Sequence, residues 1–475
     1  MMNLKQAAQW LPGSRIVGDE LTTVRRVHTD SRTLCAGDLF VALTGEKFDA
    51  HNFLPQAAAQ GAVAALATHG LAAAGLRGLE VADTKLALGQ LAAAWRAQFE
   101  LPLVAVTGSN GKTTVTQMIA SILQSWKAAG AFATEGNFNN DIGVPLTLLR
   151  LRASHSVGVV ELGMNHPGEI TYLAKLVRPS VALINNAQRE HLEFMHTVDA
   201  VARENGSVLQ WLSVQGTAVF PADDAFSAVW RQLAGRHRVM TFAMSGDADV
   251  VGHAHWQQGR WHVSATTPAG PLDFPLHVAG RHNVKNALAA VACALAAGAP
   301  LTAIAKGLGS FAPVKGRSRA LAVTWQGQSI TLIDDTYNAN PDSMQAAIDV
   351  LAELPAPRLL VMGDMGEVGD QGPQFHEEAG ALARMRGVNT LFTLGEQAVH
   401  AQRAFLAVAG TDWHFKDMDS LIAALPGALP GVRSVLVKGS RFMKMERAVH
   451  AIEQSGITAI ATPTQQKQKD LPHAA

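Results

Sequence analysis

Hydrophobic positions along this chain fall into short, largely β-branched runs separated by longer helical stretches. Leu103-Val104-Ala105-Val106-Thr107, Val157-Gly158-Val159-Val160-Glu161 and Val181-Ala182-Leu183-Ile184 are continuous apolar runs. That is the pattern of strands covered on both faces of a parallel sheet. Ala218-Val219-Phe220 and Val239-Met240-Thr241-Phe242 continue it, and Trp256 and Trp261 flank Gln257-Gln258-Gly259-Arg260, which reads as a hairpin turn. Further on, runs at 330–333, 358–362, 390–394 and 434–437 alternate with helical segments, predicting a second open α/β sheet. Nearer the start, Asp38 to Leu43 reads as a strand after the Ala36-Gly37 turn. Leu54 to Ala67 reads as an alanine-rich helix broken by Gly61, and Thr84 to Phe99 as a helical run that Pro102 ends.

These elements predict an α/β protein of three domains. A small mixed α/β domain spans 1–98, a central parallel-sheet domain built on a phosphate loop spans 99–312, and a Rossmann-like domain spans 313–461. The polar, Gln/Lys-rich stretch 462–475 reads as a disordered tail. The 475 residues agree with three domains, at roughly 150 residues each. Lys plus Arg equals Asp plus Glu, 39 each, so no general field attracts nucleic acid or an anionic membrane. The first residues show no secretory pattern, and no apolar run is long enough to span a bilayer. Cys35 and Cys293 are too few for a disulfide framework or a zinc site, and read as small buried hydrophobes in a reducing cytoplasm.

The most chemically specific segment follows the 103–107 run. Thr107-Gly108-Ser109-Asn110-Gly111-Lys112-Thr113-Thr114 passes from a strand through a glycine turn into a helical stretch, Val115 to Trp126. This is the strand–loop–helix context of a phosphate loop, in which backbone N–H groups and the helix N-terminus surround phosphate oxygens. Lys112 is placed to reach the β- and γ-phosphates, and the Thr113 hydroxyl to ligate Mg²⁺. Only Ser109 and Asn110 separate Gly108 from Gly111, shorter than the commonest spacing. The pattern predicts a bound nucleoside triphosphate.

Other polar clusters sit where strands end. Glu161 closes its strand at the carboxyl edge, where a carboxylate beside a phosphate loop suits a Mg²⁺ ligand. Asn185-Asn186-Ala187-Gln188-Arg189-Glu190-His191 follows the next strand; His191 reads equally as a phosphate or metal contact and as a structural group. Asn137, Asn139 and Asn140 lie in an amide-rich loop whose groups match sugar hydroxyls and N-acetyl groups, or make an ordinary Asn turn. Asn283 and Asn286 share a helix face from which amides read an adenine edge, and Asn283 is as good a helix cap. Lys315-Gly316-Arg317-Ser318-Arg319 is either a solvated linker or a basic turn that delivers Arg317 to a phosphate. Asp334-Asp335-Thr336-Tyr337-Asn338-Ala339-Asn340-Pro341, Gly363-Asp364-Met365-Gly366-Glu367 and Lys438-Gly439-Ser440-Arg441 follow strands of the third unit, where ligand sites of open sheets lie. Two such sheets suggest a ligand cleft between them.

With these segments in place the chain resembles the Mur ligases, the ATP-dependent family that builds the peptide stem of bacterial peptidoglycan. The likeness runs from about residue 20 to 450 and rests on the short phosphate loop, the three third-unit motifs, and the Thr29-Asp30-Ser31-Arg32 and Gly37 to Leu43 segments. The third-unit motifs resemble the branch that adds D-alanyl-D-alanine to a UDP-N-acetylmuramoyl tripeptide. The resemblance implies that the tripeptide carboxylate attacks the γ-phosphate of ATP to give an acyl phosphate, which the dipeptide amine then attacks. It assigns Lys112, Glu161, His191 and Arg317 to catalysis. Thr113, Glu161 and His191 go to Mg²⁺, and Asp335 joins the phosphate loop, Asn283, Asn286 and Arg317 around ATP. Ser31, Arg32, Asn137, Asn139 and Asn140 go to the UDP-muramoyl peptide, and Tyr337, Asn338 and Asn340 to the dipeptide side. A cytoplasmic monomer is expected. In one respect the chain departs from the family. Its members place a carbamylated lysine, a ligand for a second Mg²⁺, on the helix after the histidine loop; Asn205 stands there, with Glu204 as the neighbouring carboxylate.

Overall fold

The structure, a computed structural model, describes residues 1–45, 48–257, 259–406 and 413–457. The expected tail at 462–475 lies outside the described residues. The chain divides into two compact units, Met1–Val314 and the portion from Lys315 onward.

In the first unit, a five-stranded sheet runs in the order Arg15–Val17, Gly78–Glu80, Ala64–Ala67, Asp38–Val41, Arg26–His28. All neighbours are parallel except the first pair. The sequence reading of Leu54 to Ala67 as one helix is half right. The helix stops at Ala59, Gly61 takes φ +90°, and Ala64–Ala67 is a fully buried strand. Alanines carry no periodicity that separates a helix from a strand covered on both faces, so burial decided the outcome. Cys35 is also corrected: it is exposed, in the turn before Asp38, while Cys293 is buried mid-helix as expected. Burial also pushes the Cys293 thiol well above the usual range.

The larger sheet of this unit has nine strands. Ala131–Ala133, Val157–Glu161, Leu103–Thr107, Val181–Ile184, Thr217–Pro221, Arg238–Ala243 and Val250–Gln257 follow one another in parallel. Arg260–Thr267 and Gly270–Leu276 add an antiparallel edge. The Trp256/Trp261 hairpin forms as predicted, with Trp256 opposite Trp261 in register. The chemically loaded strand Leu103–Thr107 lies between Val157–Glu161 and Val181–Ile184, so the three segments that follow them emerge side by side at one carboxyl edge. Helices Lys112–Lys127 and Arg281–Ala296 cover the sheet there with Val115, Ile119, Val284 and Leu288. Arg96, at the end of the helix Thr84–Arg96, reaches across to the C-terminal carbonyls of the helix Glu169–Val177. Its Nε donates to Val177 O at 3.0 Å and its Nη2 to Arg178 O at 3.4 Å. A cation there complements the negative end of the helix dipole.

The second unit holds a six-stranded sheet in the order Arg319–Trp325, Gln328–Asp335, Ser434–Lys438, Arg358–Gly363, Thr390–Leu394, His414–Phe415. Only the first pair is antiparallel. The four predicted strands are all present. Arg319–Trp325 was not read from sequence because its alternating exposure gives only an interrupted apolar run.

Candidate active site

The phosphate loop takes its shape from glycine and from amides. Gly108 and Gly111 have φ +128° and +82°. A Cβ on Gly108 would meet Asn185 N at 2.9 Å, and one on Gly111 would meet Asn286 Oδ1 at 2.7 Å. Only glycine fits either position. The loop is then fastened to the segment after the neighbouring strand. Ser109 N donates to Asn186 O at 3.1 Å, and Asn110 N to Asn186 Oδ1 at 2.8 Å. Asn110 Nδ2 donates to Gln188 Oε1 at 2.7 Å, and Asn185 Nδ2 to Asn110 O at 2.8 Å. Asn185, Asn186 and Gln188 therefore build the loop, a role their side-by-side amides hinted at without specifying.

Lys112 and Thr113 open the helix behind the loop, with Thr114 buried in its first turn. The Lys112 ammonium donates to Gly108 O at 2.6 Å, Ser109 O at 3.0 Å and Glu190 Oε1 at 2.7 Å. The Thr113 hydroxyl donates to Glu161 Oε1 at 3.0 Å, and Asn139 Nδ2 to the same oxygen at 2.8 Å. Glu161 is 2% exposed and has no ion-pair partner among the described residues. A buried carboxylate served only by neutral donors calls for a cation, and its hard oxygens with the Thr113 hydroxyl suit Mg²⁺. His191 is in left-handed backbone, φ 50°, with Nε2 at 3.5 Å from Glu190 Oε1. Among the described residues no three His, Cys, Asp or Glu side chains form a metal-holding group.

Asn205, where the resemblance implies a modified lysine, offers no free ligand for a second cation. Asn205 is fully buried and its amide is fully committed: Oδ1 accepts from Thr107 Oγ1 at 2.5 Å and Gly108 N at 2.9 Å, and Nδ2 donates to Val201 O at 3.0 Å. Glu204 is no substitute, because its Oε1 accepts from Ile170 N at the start of another helix, at 2.9 Å. Asn205 thus braces the base of the phosphate loop.

Asn283 and Asn286 are buried and joined, Asn286 Nδ2 to Asn283 Oδ1 at 3.0 Å, and Asn286 Oδ1 accepts from Asn185 Nδ2 at 3.0 Å. That places the pair against Gly111. The amide-rich loop splits: Asn139 reaches Glu161, Asn140 Oδ1 accepts from Gly143 N at 2.8 Å, and Asn137 is exposed. On the smaller sheet's side, Ser31 is buried and Arg32 pairs with Asp30, holding that carboxyl down at about 2.

In the second unit, Lys438 Nζ binds Asp335 Oδ2 at 2.6 Å and Asn338 O at 2.8 Å. Asp335 Oδ1 also accepts from Ser318 N at 2.9 Å, which fixes the turn carrying Arg317. The Arg317 guanidinium stacks 4.1 Å from the Tyr337 ring centre, and its Nε is buried without a hydrogen-bond partner. Asn340 caps the helix Pro341–Glu353 through Ser343 N at 2.9 Å. Arg317, Asp335, Tyr337, Asn338 and Asn340 therefore share one end of this sheet.

Fold and site together define a phosphate-loop α/β protein carrying a second, Rossmann-like sheet. The Mur ligase middle domain matches residues 106–294, the Mur ligase glutamate ligase domain 318–441, and the Mur ligase family catalytic domain 23–96. The chain is 40% identical over 456 residues to the UDP-N-acetylmuramoyl-tripeptide–D-alanyl-D-alanine ligase of Haemophilus influenzae, covering 94% of this chain and 97% of that one. The corresponding Escherichia coli enzyme is 40% identical over 438 residues, 91% and 95% of the two chains. A crystal structure of MurF from Acinetobacter baumannii superposes with TM-score 0.87 at 37% identity, covering 95% and 98%. The chain belongs to the Mur ligase family.

Proposed function

We propose that this chain joins D-alanyl-D-alanine to UDP-N-acetylmuramoyl-tripeptide at the expense of ATP, forming an amide through an acyl phosphate in the cytoplasmic stage of peptidoglycan synthesis. The observation that carries the reading is the Lys112, Thr113 and Glu161 constellation at the mouth of the phosphate loop, in a chain 40% identical to ligases of that name over nearly its whole length. An MurF from Thermotoga maritima, 26% identical with TM-score 0.79, was solved in complex with ADP.

Both reacting partners are anionic, so the work is charge neutralisation and alignment. The backbone N–H groups that open the helix Lys112–Lys127 face the nucleotide phosphates, and Lys112 faces the transferring group. Thr113 and Glu161 hold Mg²⁺, with His191 as the third candidate. When bound, Mg²⁺ supplies positive charge against the phosphate oxygens. Asn283 and Asn286 face adenine, and Arg317 and Asp335 keep the nucleotide roles the family resemblance implies. Asn139, already on Glu161, brings the muramoyl end close to the phosphate loop, with Asn137, Asn140, Ser31 and Arg32 along the rest of that substrate. Tyr337, Asn338 and Asn340 serve the dipeptide. The domain limits are 1–98, 99–312 and 313–461, and the working form is a monomer in the cytoplasm. No helix among the described residues is long and apolar enough to cross a membrane.

Phosphate release tests the assignment. Release that requires ATP, the UDP-muramoyl tripeptide and D-alanyl-D-alanine together, and that falls on the order of 100-fold or more in Lys112→Ala, is expected. Release without the dipeptide indicates an ATPase, and undiminished release in Lys112→Ala removes the phosphate loop from the reaction.

A further inference from the structure

We infer that Glu190, a residue the sequence motifs pass over, is a positioning residue of the nucleotide site: it clasps Lys112 before the phosphate arrives and yields it on binding. The inference rests on the phosphate-loop reading above.

An ammonium has three N–H donors, and all three of Lys112 are used, on Gly108 O, Ser109 O and Glu190 Oε1. A phosphate oxygen reaching Lys112 must displace one of these acceptors. Two are carbonyls of the loop itself, neutral and fixed in the turn that surrounds the phosphate. Glu190 is the one that carries negative charge, and two anions cannot share one ammonium without repulsion. The carboxylate is therefore the acceptor that leaves.

Its surroundings are those of a working group more than of a structural ion pair. Glu190 is 8% exposed, and Lys112 and Glu190 side chains are 13% and 10% exposed. Oε1 takes Lys112 and stands 3.5 Å from His191 Nε2, while Oε2 is buried without a hydrogen-bond partner. A structural carboxylate at this depth would have both oxygens satisfied. Here one oxygen is idle, while the other lies between the ammonium that faces the phosphate and the histidine of the same loop. The clasp holds the Lys112 side chain in the loop, and it makes nucleotide binding compete with an internal anion.

The competition gives the test its sign. Isothermal titration with ADP and Mg²⁺ compares the full chain with Glu190→Gln, which keeps size and an acceptor oxygen but removes the charge. Binding is expected to tighten by about three- to tenfold, whereas Glu190→Asp, which keeps the charge, stays within about twofold of the parent. In a Lys112→Ala background Glu190→Gln is expected to change affinity by less than about twofold, because the clasped group is gone. If Glu190→Gln fails to fold, Glu190→Ala reads the same loss of charge. Weaker or unchanged binding in the charge-removed variant overturns the inference, since a purely structural pair loosens the loop when broken. Equal tightening in the Lys112→Ala background overturns it as well. Failure of the parent chain to bind ADP at all refutes the phosphate-loop reading instead, so the two failures are distinct.

Discussion

At Asn205 a single amide decides what the phosphate loop can do. Its oxygen takes the Thr107 hydroxyl and the Gly108 N–H, groups that are otherwise buried without partners at the point where strand becomes loop. Replacing it by alanine orphans both. Asn205→Ala is expected to lower stability by about 2–4 kcal/mol, read as a shift in denaturant midpoint with an unchanged slope. A midpoint within error of the parent would show that the brace is dispensable. At this scale the sequence was legible where a residue type has few uses. Glycines with the next Lys-Thr, and a Glu closing an apolar strand, named Lys112, Thr113 and Glu161 directly. Glu190 and the bracing amides Asn185, Asn186 and Gln188 were not legible as working residues. Their partners lie 75 or more positions away, and polar loops look alike until the strand order puts them together.

Elements carry the next lesson, in two places where a buried side chain ties one to another. Arg96 is a guanidinium satisfied by carbonyls, including Phe99 O at 2.6 Å, and burial lowers its pKa to about 10. Arg96→Met removes those bonds and leaves the end of the helix Glu169–Val177 without its cation. A loss of about 2–4 kcal/mol is expected from thermal or chemical unfolding; no loss would mean that water replaces the guanidinium. His376 sits fully buried in the helix Gly372–Met385, accepting from Met365 N at 3.0 Å through Nε2, with Nδ1 bonded to Gly372 O at 2.7 Å. Burial holds its pKa below 6.5. A depressed folded pKa means that protons favour the unfolded chain, so this contribution is whole above about pH 6.5 and is lost as pH falls through the folded value. Urea melts from pH 7 down to about 5 are expected to lose stability less steeply in His376→Gln than in the parent. Equal slopes would place the acid sensitivity elsewhere. Strand and helix identities were readable wherever β-branched runs met turn residues. The alanine stretch Ala64–Ala67 was not, since only its neighbours in the sheet could decide it.

For the molecule as a whole, one carboxyl edge matters most. The strand order places the phosphate loop, Glu161 and the Asn185–His191 loop side by side, and the sequence could announce each segment but not their adjacency. The second unit repeats the device: Asp335 and Lys438 end neighbouring parallel strands, in register with each other. The central claim is that a carboxylate is phosphorylated by ATP before it meets the amine, and heavy oxygen follows that step directly. With UDP-muramoyl tripeptide labelled at its terminal carboxylate, one oxygen joins the γ-phosphorus and leaves with the phosphate when the dipeptide amine attacks the carbon. Mass spectrometry of the released phosphate is predicted to find that label transferred in step with amide formation. Unlabelled phosphate accompanying labelled, ligated product would contradict the account.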